Sequence, residues 1–260
     1  MSSLDPQLVL GAYAVGVFPM ADHREAAGVY WVEPKERAIL PLDRFVPSRS
    51  LRRTIAADRF RVTADAAFEA VIALCAEPTR NRPETWINHP IENAFVTLHR
   101  LGYAHSIECW DGDRLAGGLY GLALGRAFFG ESMVSRATDA SKVALAWLVA
   151  RLRAGGFTLL DCQFQTDHLA SLGAIEISRR DYLAVLGAAL GDGAGGAAGA
   201  ATGTTGSSAP AASLLSDSSA AGDFFALDAL DALAPSTAEA DSVAGPLSGR
   251  DILQLFGHTS

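Results

Sequence analysis

Apolar and polar positions alternate along this chain with helix-like and strand-like spacing up to Leu186, and beyond it only in two short stretches. Within the patterned part, Pro6–Val15 reads as a helix, Phe18-Pro19 as a turn, and Tyr30–Val32 and Arg37–Leu40 as short strands. Thr63–Cys75 and Ile91–Leu101 read as helices. Strands follow at Ala104–Trp110 and Arg114–Leu119, joined by Asp111-Gly112-Asp113, a hairpin signal because Gly and Asp tolerate the positive φ of a tight turn. After Gly121–Gly125 a further strand is expected at Arg126–Phe129. Periodicity alone gives a mixed sheet with helices, an α/β (α+β) class.

The segment from Phe128 to Gly173 carries most of the chemistry. A strand ending in Gly130-Glu131-Ser132-Met133 leads through a polar loop to a helix whose Val143, Trp147, Leu148 and Leu152 fall at helical spacing. Thr138 or Asp139 can cap this helix, and Gly155-Gly156 stops it. A second strand, Phe157–Gln165, then places Asp161 and Gln163 two residues apart, so both side chains leave one face. A carboxylate and an amide on an otherwise apolar strand are costly to bury without partners, which points to a site. If the two strands pair, Glu131 and Asp161 face one cleft. The competing reading is a carboxylate–arginine pair that only stabilises the fold.

Composition narrows the possibilities. The chain has 260 residues and 49% hydrophobic content, enough for one large domain or two small ones. No apolar run reaches the roughly 18 residues needed to cross a bilayer. MSSLDPQLVL has no basic region before its apolar residues, so no secretory signal is expected. Cys75, Cys109 and Cys162 are widely spaced and read as free thiols in a reducing cytoplasm. The six histidines show no metal-ligand spacing, and no metal is expected. The net charge of −8 argues at first against a nucleic-acid partner. Yet residues 187–260 hold eight acids and one base, so the other 186 residues carry 21 acids and 20 bases. Within them Arg49, Arg52, Arg53, Arg59 and Arg61 form a basic cluster; it reads equally as a phosphate-binding patch or as a solvated face.

After Leu186 the sequence collapses into Gly, Ala, Ser and Thr, which builds no core and reads as a flexible linker. Phe224, Phe225, Leu227, Leu230 and Leu233 then make one short amphipathic pattern, and Ile252, Leu253, Leu255 and Phe256 another. The last segment either docks on the body or trails from it.

Several ordered blocks carry a resemblance. Gly16-Val17-Phe18-Pro19, Ser48-Arg49-Ser50-Leu51-Arg52-Arg53, Glu84-Thr85-Trp86-Ile87, His105-Ser106-Ile107-Glu108, Gly130-Glu131-Ser132-Met133, Asp139-Ala140-Ser141-Lys142, Asp161-Cys162-Gln163 and His168-Leu169-Ala170-Ser171-Leu172-Gly173-Ala174 all look like blocks of the leucyl/phenylalanyl-tRNA–protein transferases. The resemblance spans roughly residues 4 to 186. It implies a small N-terminal α/β domain (1–56) and an acetyltransferase-like (GNAT-like) catalytic domain (57–188); composition adds a linker (189–245) and a C-terminal segment (246–260), which depart from the family's pattern. No glycine lies between Ser132 and Gly155 to cradle a pyrophosphate, which counts against coenzyme A; no cofactor is expected.

The resemblance implies transfer of Leu or Phe, and less well Met, from charged tRNA to the α-amine of proteins with N-terminal Arg or Lys, marking them for proteolysis. The partners implied are aminoacyl-tRNA and such proteins, with no membrane, for a cytoplasmic monomer. Asp161 suits base or amine-positioning work, Gln163 can hydrogen-bond a carbonyl or the amine, and Glu131 can pair with the acceptor's cation. Which carboxylate is base and which is anchor stays open at this point. By motif position Trp86, Leu119 and Phe128, with Ser132 and Met133, correspond to the aminoacyl and 3′-adenosine sites, and Arg49, Arg52 and Arg53 to the tRNA contact. Pattern alone makes Trp86, Leu119 and Phe128 ordinary core. Two alternatives remain: a Ser132–Asp161–His168 hydrolase, although the serine lacks the second glycine of a nucleophile elbow, and an inactive aminoacyl-tRNA binding module.

Overall fold

The computed structural model describes residues 4–78, 83–191, 221–233 and 247–257. The chain opens with α1 (Pro6–Ala14), capped by the Asp5 carboxylate on the Gln7 N–H and started by Pro6 at a position where no N–H is needed. Gly16, at φ 82°, ends α1 and turns the chain into β1 (Phe18–Met20), which pairs antiparallel with β2 (Tyr30–Val32). Phe18-Pro19 is thus strand and not turn. These elements make the small N-terminal domain.

β3 (Glu36–Ile39) and α2 (Arg49–Ala56) follow, then β4 (Arg61–Ala64), α3 (Phe68–Ala76), α4 (His89–Arg100), β5 (Ala104–Asp111), β6 (Arg114–Leu124), β7 (Ala127–Ser135), α5 (Ala140–Ala154), β8 (Leu159–Gln163), α6 (Asp167–Ser171), β9 (Ile175–Ser178) and α7 (Arg179–Leu190). Among the described residues seven strands form one sheet in the order β4-β5-β6-β7-β8-β3-β9. Only β7 and β8 run parallel, joined by the α5 crossover that a parallel pair requires. Although the sequence reading closes the N-terminal part at residue 56, β3 is an inner strand of the large sheet and α2 packs on α5.

Both faces of the sheet are covered. Leu119, Phe128 and Leu160 enter a core built with α2 and α5, while their neighbours Tyr120, Phe129 and Leu159 enter a second core built with α1, α3, α4 and α7. Apolar residues in succession, without alternation, follow from burial on two sides. α5 is covered over most of its circumference and uses Ala144, Ala146 and Ala150 where neighbours come close.

Three further expectations change. Thr63–Cys75 is not one helix: Thr63 pairs with Glu108 across β4–β5, and Asp65 at φ 55° breaks the chain, its carboxylate accepting from Ser106 N–H (2.7 Å) and bonding His105 Nδ1 (2.7 Å). Cross-strand bonding outweighs local helix propensity there. β6 runs through Gly121 instead of ending before it; a Cβ there would stand 2.3 Å from the Phe129 carbonyl, so the strand needs the glycine. The linker expected over 189–245 contains structure. Residues 192–220 and 234–246 lie outside the described residues, but 226–233 form α8 (Ala226–Leu233), with Phe224 and Leu227 buried against α5. Asp223 N–H donates to Gly155 O (2.9 Å), and Arg151 Nη1 donates to Asp228 (2.8 Å) and to Phe224 O (3.1 Å). The final segment docks as α9 (Gly249–Gln254), burying Ile252 and Phe256 beside α2 and α5.

Candidate active site

Two carboxylates meet where the β7–β8 pairing ends, on the α1 and α7 side of the sheet. Register brings them there: Phe129 stands opposite Asp161, and Glu131 follows two residues on. The β6–β7 ladder slips at this point, since Tyr120 pairs with Ser132 and Gly121 with Gly130, leaving Glu131 as the extra residue of a β-bulge. Bulges re-aim a side chain, here away from the ladder and toward α1.

Asp161 is fully buried and fully engaged. Arg37, from the adjacent β3, donates Nε to Oδ1 (2.9 Å) and Nη2 to Oδ2 (2.6 Å). Tyr182 of α7 donates its hydroxyl to Oδ2 (2.8 Å), and the Gln163 N–H donates to Oδ1 (2.7 Å). The Arg37 guanidinium lies between the rings of Phe18 (4.7 Å) and Tyr182 (4.5 Å), and its Nη1 donates to Gly16 O (3.0 Å). The Gly16–Pro19 block is thereby explained: the glycine aims its carbonyl, and the phenylalanine covers the cation. Burial, then the Asp161 charge, pushes the Tyr182 hydroxyl well above its ordinary range.

Glu131 is buried as well, at 8% exposure, yet neither carboxylate oxygen makes a hydrogen bond within the protein. The Tyr13 hydroxyl of α1 and Nε2 of Gln163 also lack partners. Burial pushes the Glu131 carboxyl up to about 7; Tyr13 and Gln163 stand close enough to check the rise without completing a bond. Burial, then the Glu131 charge, raises Tyr13 well above its usual value. Gln163 sits at φ 63°, a left-handed conformation that costs a non-glycine residue about 1–3 kcal/mol unless its surroundings impose it. The bond from its N–H to Asp161 does so. One carboxylate thus fixes an amide beside another whose hydrogen-bonding capacity is unspent, an arrangement fitted to hold a substrate cation and a carbonyl or amine.

The remaining expected site residues divide. Trp86 is half-buried on the same side of the sheet, its carbonyl accepting from Ala21 N–H (3.1 Å). Leu119 and Phe128 are buried on the opposite side, so the sheet stands between them and Trp86. Ser132 and Met133 are half-buried on β7 just past Glu131. Arg49, Arg52 and Arg53 are exposed on α2. A Ser132–Asp161–His168 triad is absent: Asp161 is taken up by Arg37, Tyr182 and Gln163, and His168 is exposed on α6. Partial burial, then Lys142, lowers the pKa of His168. Sequence reasoning missed Tyr13, Arg37 and Tyr182; an arginine inside the strand pattern Arg37–Leu40 was the available signal.

The comparisons accord with this geometry. Residues 39–187 match the family described as leucyl/phenylalanyl-tRNA protein transferase, and residues 2–35 match the N-terminal domain of the same description. The chain belongs to that family. A leucyl/phenylalanyl-tRNA–protein transferase from Rhizorhabdus wittichii is 62% identical over 260 residues, the whole of both chains. One from Zymomonas mobilis is 67% identical over 187 residues, 72% of this chain and 70% of that one. Among solved structures, FemX shares 11% identity over 66% of each chain at a TM-score of 0.46, too slight to add anything. Glu131, Asp161 and Gln163 all lie within the transferase match, whereas α8 and α9 lie beyond it.

Proposed function

We propose that this transferase moves a leucyl or phenylalanyl group from charged tRNA to the α-amine of a protein beginning with Arg or Lys. The observation that carries the reading is Glu131: buried, without a hydrogen bond, and flanked by Tyr13 and Gln163 inside the region shared with the family. The acceptor nitrogen attacks the ester carbonyl, a C–N bond forms, and the C–O bond to the tRNA 3′ end breaks. The proton lost by the amine is returned to the leaving 3′-oxygen, so the ester itself supplies the driving force. Glu131 is the anionic partner of a substrate ammonium, whose charge keeps the carboxylate ionised. Gln163 uses its Nε2 on the reacting carbonyl or its Oε1 on the amine. Asp161 is a positioning residue, because Arg37, Tyr182 and the Gln163 N–H engage both its oxygens. Arg49, Arg52 and Arg53 meet tRNA phosphates.

The direct test uses purified protein, charged leucyl-tRNA and a peptide beginning with Arg. Leucine should appear on the peptide N-terminus, and an otherwise identical peptide beginning with Glu should remain unmodified. Transfer to both alike, or to neither, overturns the reading.

A further inference from the structure

In the otherwise acidic stretch 187–260, with eight acids and one Lys or Arg, the single base is Arg250. Chance and Coulomb repulsion both argue against finding it beside the exposed arginines of α2. It is found there. Arg250 and Arg52 line opposite sides of a shallow groove of about 350 Å³, with Leu253, Gln254 and Gly257 along the α9 side. Among the described residues neither guanidinium has an ion-pair partner. The nearby carboxylates are occupied with the backbone: Asp58 accepts from Gly249 N–H (2.6 Å), and Asp251 from Ser248 N–H (3.0 Å).

The placement is built. A Cβ on Gly249 would lie 1.9 Å from the Ile55 carbonyl, so only glycine lets α9 approach α2 this closely. Phe256 packs edge-on against Phe45 at 5.5 Å, and Arg153 Nη1 donates to Leu255 O (3.2 Å). At its other end α2 meets α5: Ser48 and Leu51 share a second groove, of about 260 Å³, with Lys142. Lys142 lies on the first turn of α5, just after the strand that carries Glu131. Cations therefore flank α2 at both ends, Lys142 (paired with Asp139 at 3.0 Å) at one and Arg250 at the other, with Arg49, Arg52 and Arg53 between them. Like charges held side by side on a fixed scaffold are destabilising unless an anion bridges them, and a run of them fits a polyanion better than a single ion.

We propose that α9 completes a phosphate-binding groove with α2, in which Arg250 and Arg52 hold the backbone of the donor tRNA. The inference rests on the transferase reading above. α9 is then not an inert tail but part of the donor-binding surface, added beyond the family match.

Binding of uncharged tRNA and transfer kinetics test it together in the full chain. Arg250→Glu should weaken tRNA binding about 5–10-fold and reduce the slope of log affinity against log salt by about 1, the share of one phosphate contact. Arg250→Lys should restore most of the affinity. Arg52→Glu should act like Arg250→Glu. Transfer from leucyl-adenosine, a donor without the tRNA body, should be the same for wild type and both Arg250 variants at matched melting temperature. If Arg250→Glu binds tRNA with wild-type affinity and salt slope while wild type transfers leucine, only the groove is refuted. If its loss is equal with leucyl-adenosine, Arg250 acts on the fold and the groove is likewise refuted. If wild type neither binds tRNA nor transfers, the transferase reading fails and takes the groove with it.

Discussion

Asp161 and Glu131 are both buried carboxylates on one side of the same sheet, and they differ in what surrounds them. Asp161 has a bidentate arginine, a tyrosine hydroxyl and a backbone N–H. Glu131 has neighbours but no bond. Glu108, also fully buried, resembles Asp161: it accepts from the hydroxyls of Thr63 and Ser106 at 2.5 Å each. A folded chain ordinarily supplies partners for a buried carboxylate, so one left without them marks a place kept for something from outside. Burial alone does not identify a functional acid; unspent hydrogen-bonding capacity does.

The largest effect should come from the satisfied side. Arg37→Met leaves Asp161 buried without its cation and removes the guanidinium held between Phe18 and Tyr182. Breaking such a pair costs about 3–5 kcal/mol. Urea unfolding should show that loss; a change below about 1 kcal/mol would mean the cluster contributes little, and the contrast with Glu131 would collapse.

On the unsatisfied side the effect should fall on activity instead. Glu131→Gln should cut leucine transfer by about 10²-fold or more, since a neutral amide cannot pair with a substrate ammonium. Stability should move the other way, and only at high pH. The folded-state pKa of about 7 exceeds the ordinary carboxylate value of 4.5, so the folded protein binds the proton more tightly than the unfolded chain. Glu131 therefore adds stability that is complete below the unfolded pKa and is lost as pH rises through about 7. At pH 8 Glu131→Gln should be more stable than wild type by up to about 3 kcal/mol, and at pH 4 nearly equal to it. A difference that does not change with pH would mean Glu131 is already solvated or paired.

How much of this the sequence carried follows the same divide. The two-residue spacing of Asp161 and Gln163 and the hairpin at Gly112 are local features, and the structure contains them, whereas the strand expected to end around Glu131 runs on to Ser135. The engagement of Asp161 by an arginine was not legible, because that partner lies 124 residues away on β3. Tyr13 was hidden for a similar reason: its hydroxyl matters only once α1 packs against Phe129 (4.9 Å between rings). The break at Asp65 escaped periodicity because bonds to β5 impose it. α8 lies inside the expected linker although its apolar pattern was visible; what the pattern did not give is its partner, since Phe224 stacks on His105 at 4.1 Å. One aromatic residue in a complementary place outweighs its neighbours' lack of side chains; burying it is worth about 1.5–3 kcal/mol.

The smallest effects give the sharpest contrast, because one substitution can be made on both sides. Tyr182→Phe removes a hydroxyl that donates to the Asp161 carboxylate, and bonds to charged groups contribute about 1.5–3 kcal/mol. Tyr13→Phe removes a hydroxyl that only weakly engages Glu131 and completes no full hydrogen bond, so it sheds a desolvation cost and should leave stability unchanged or raise it by up to about 1 kcal/mol. The same atom is deleted from two buried rings, and the stability changes should differ in size and direction. Activity should not follow stability. Tyr13 helps to hold the Glu131 carboxyl down, so its removal should push that pKa above about 7 and shift the rising limb of the pH–rate profile upward, with little loss of rate on the alkaline side. Tyr182→Phe should leave that limb where it is. If both variants lose stability equally and neither moves the profile, Tyr13 is ordinary core and the open cluster around Glu131 loses one of its members.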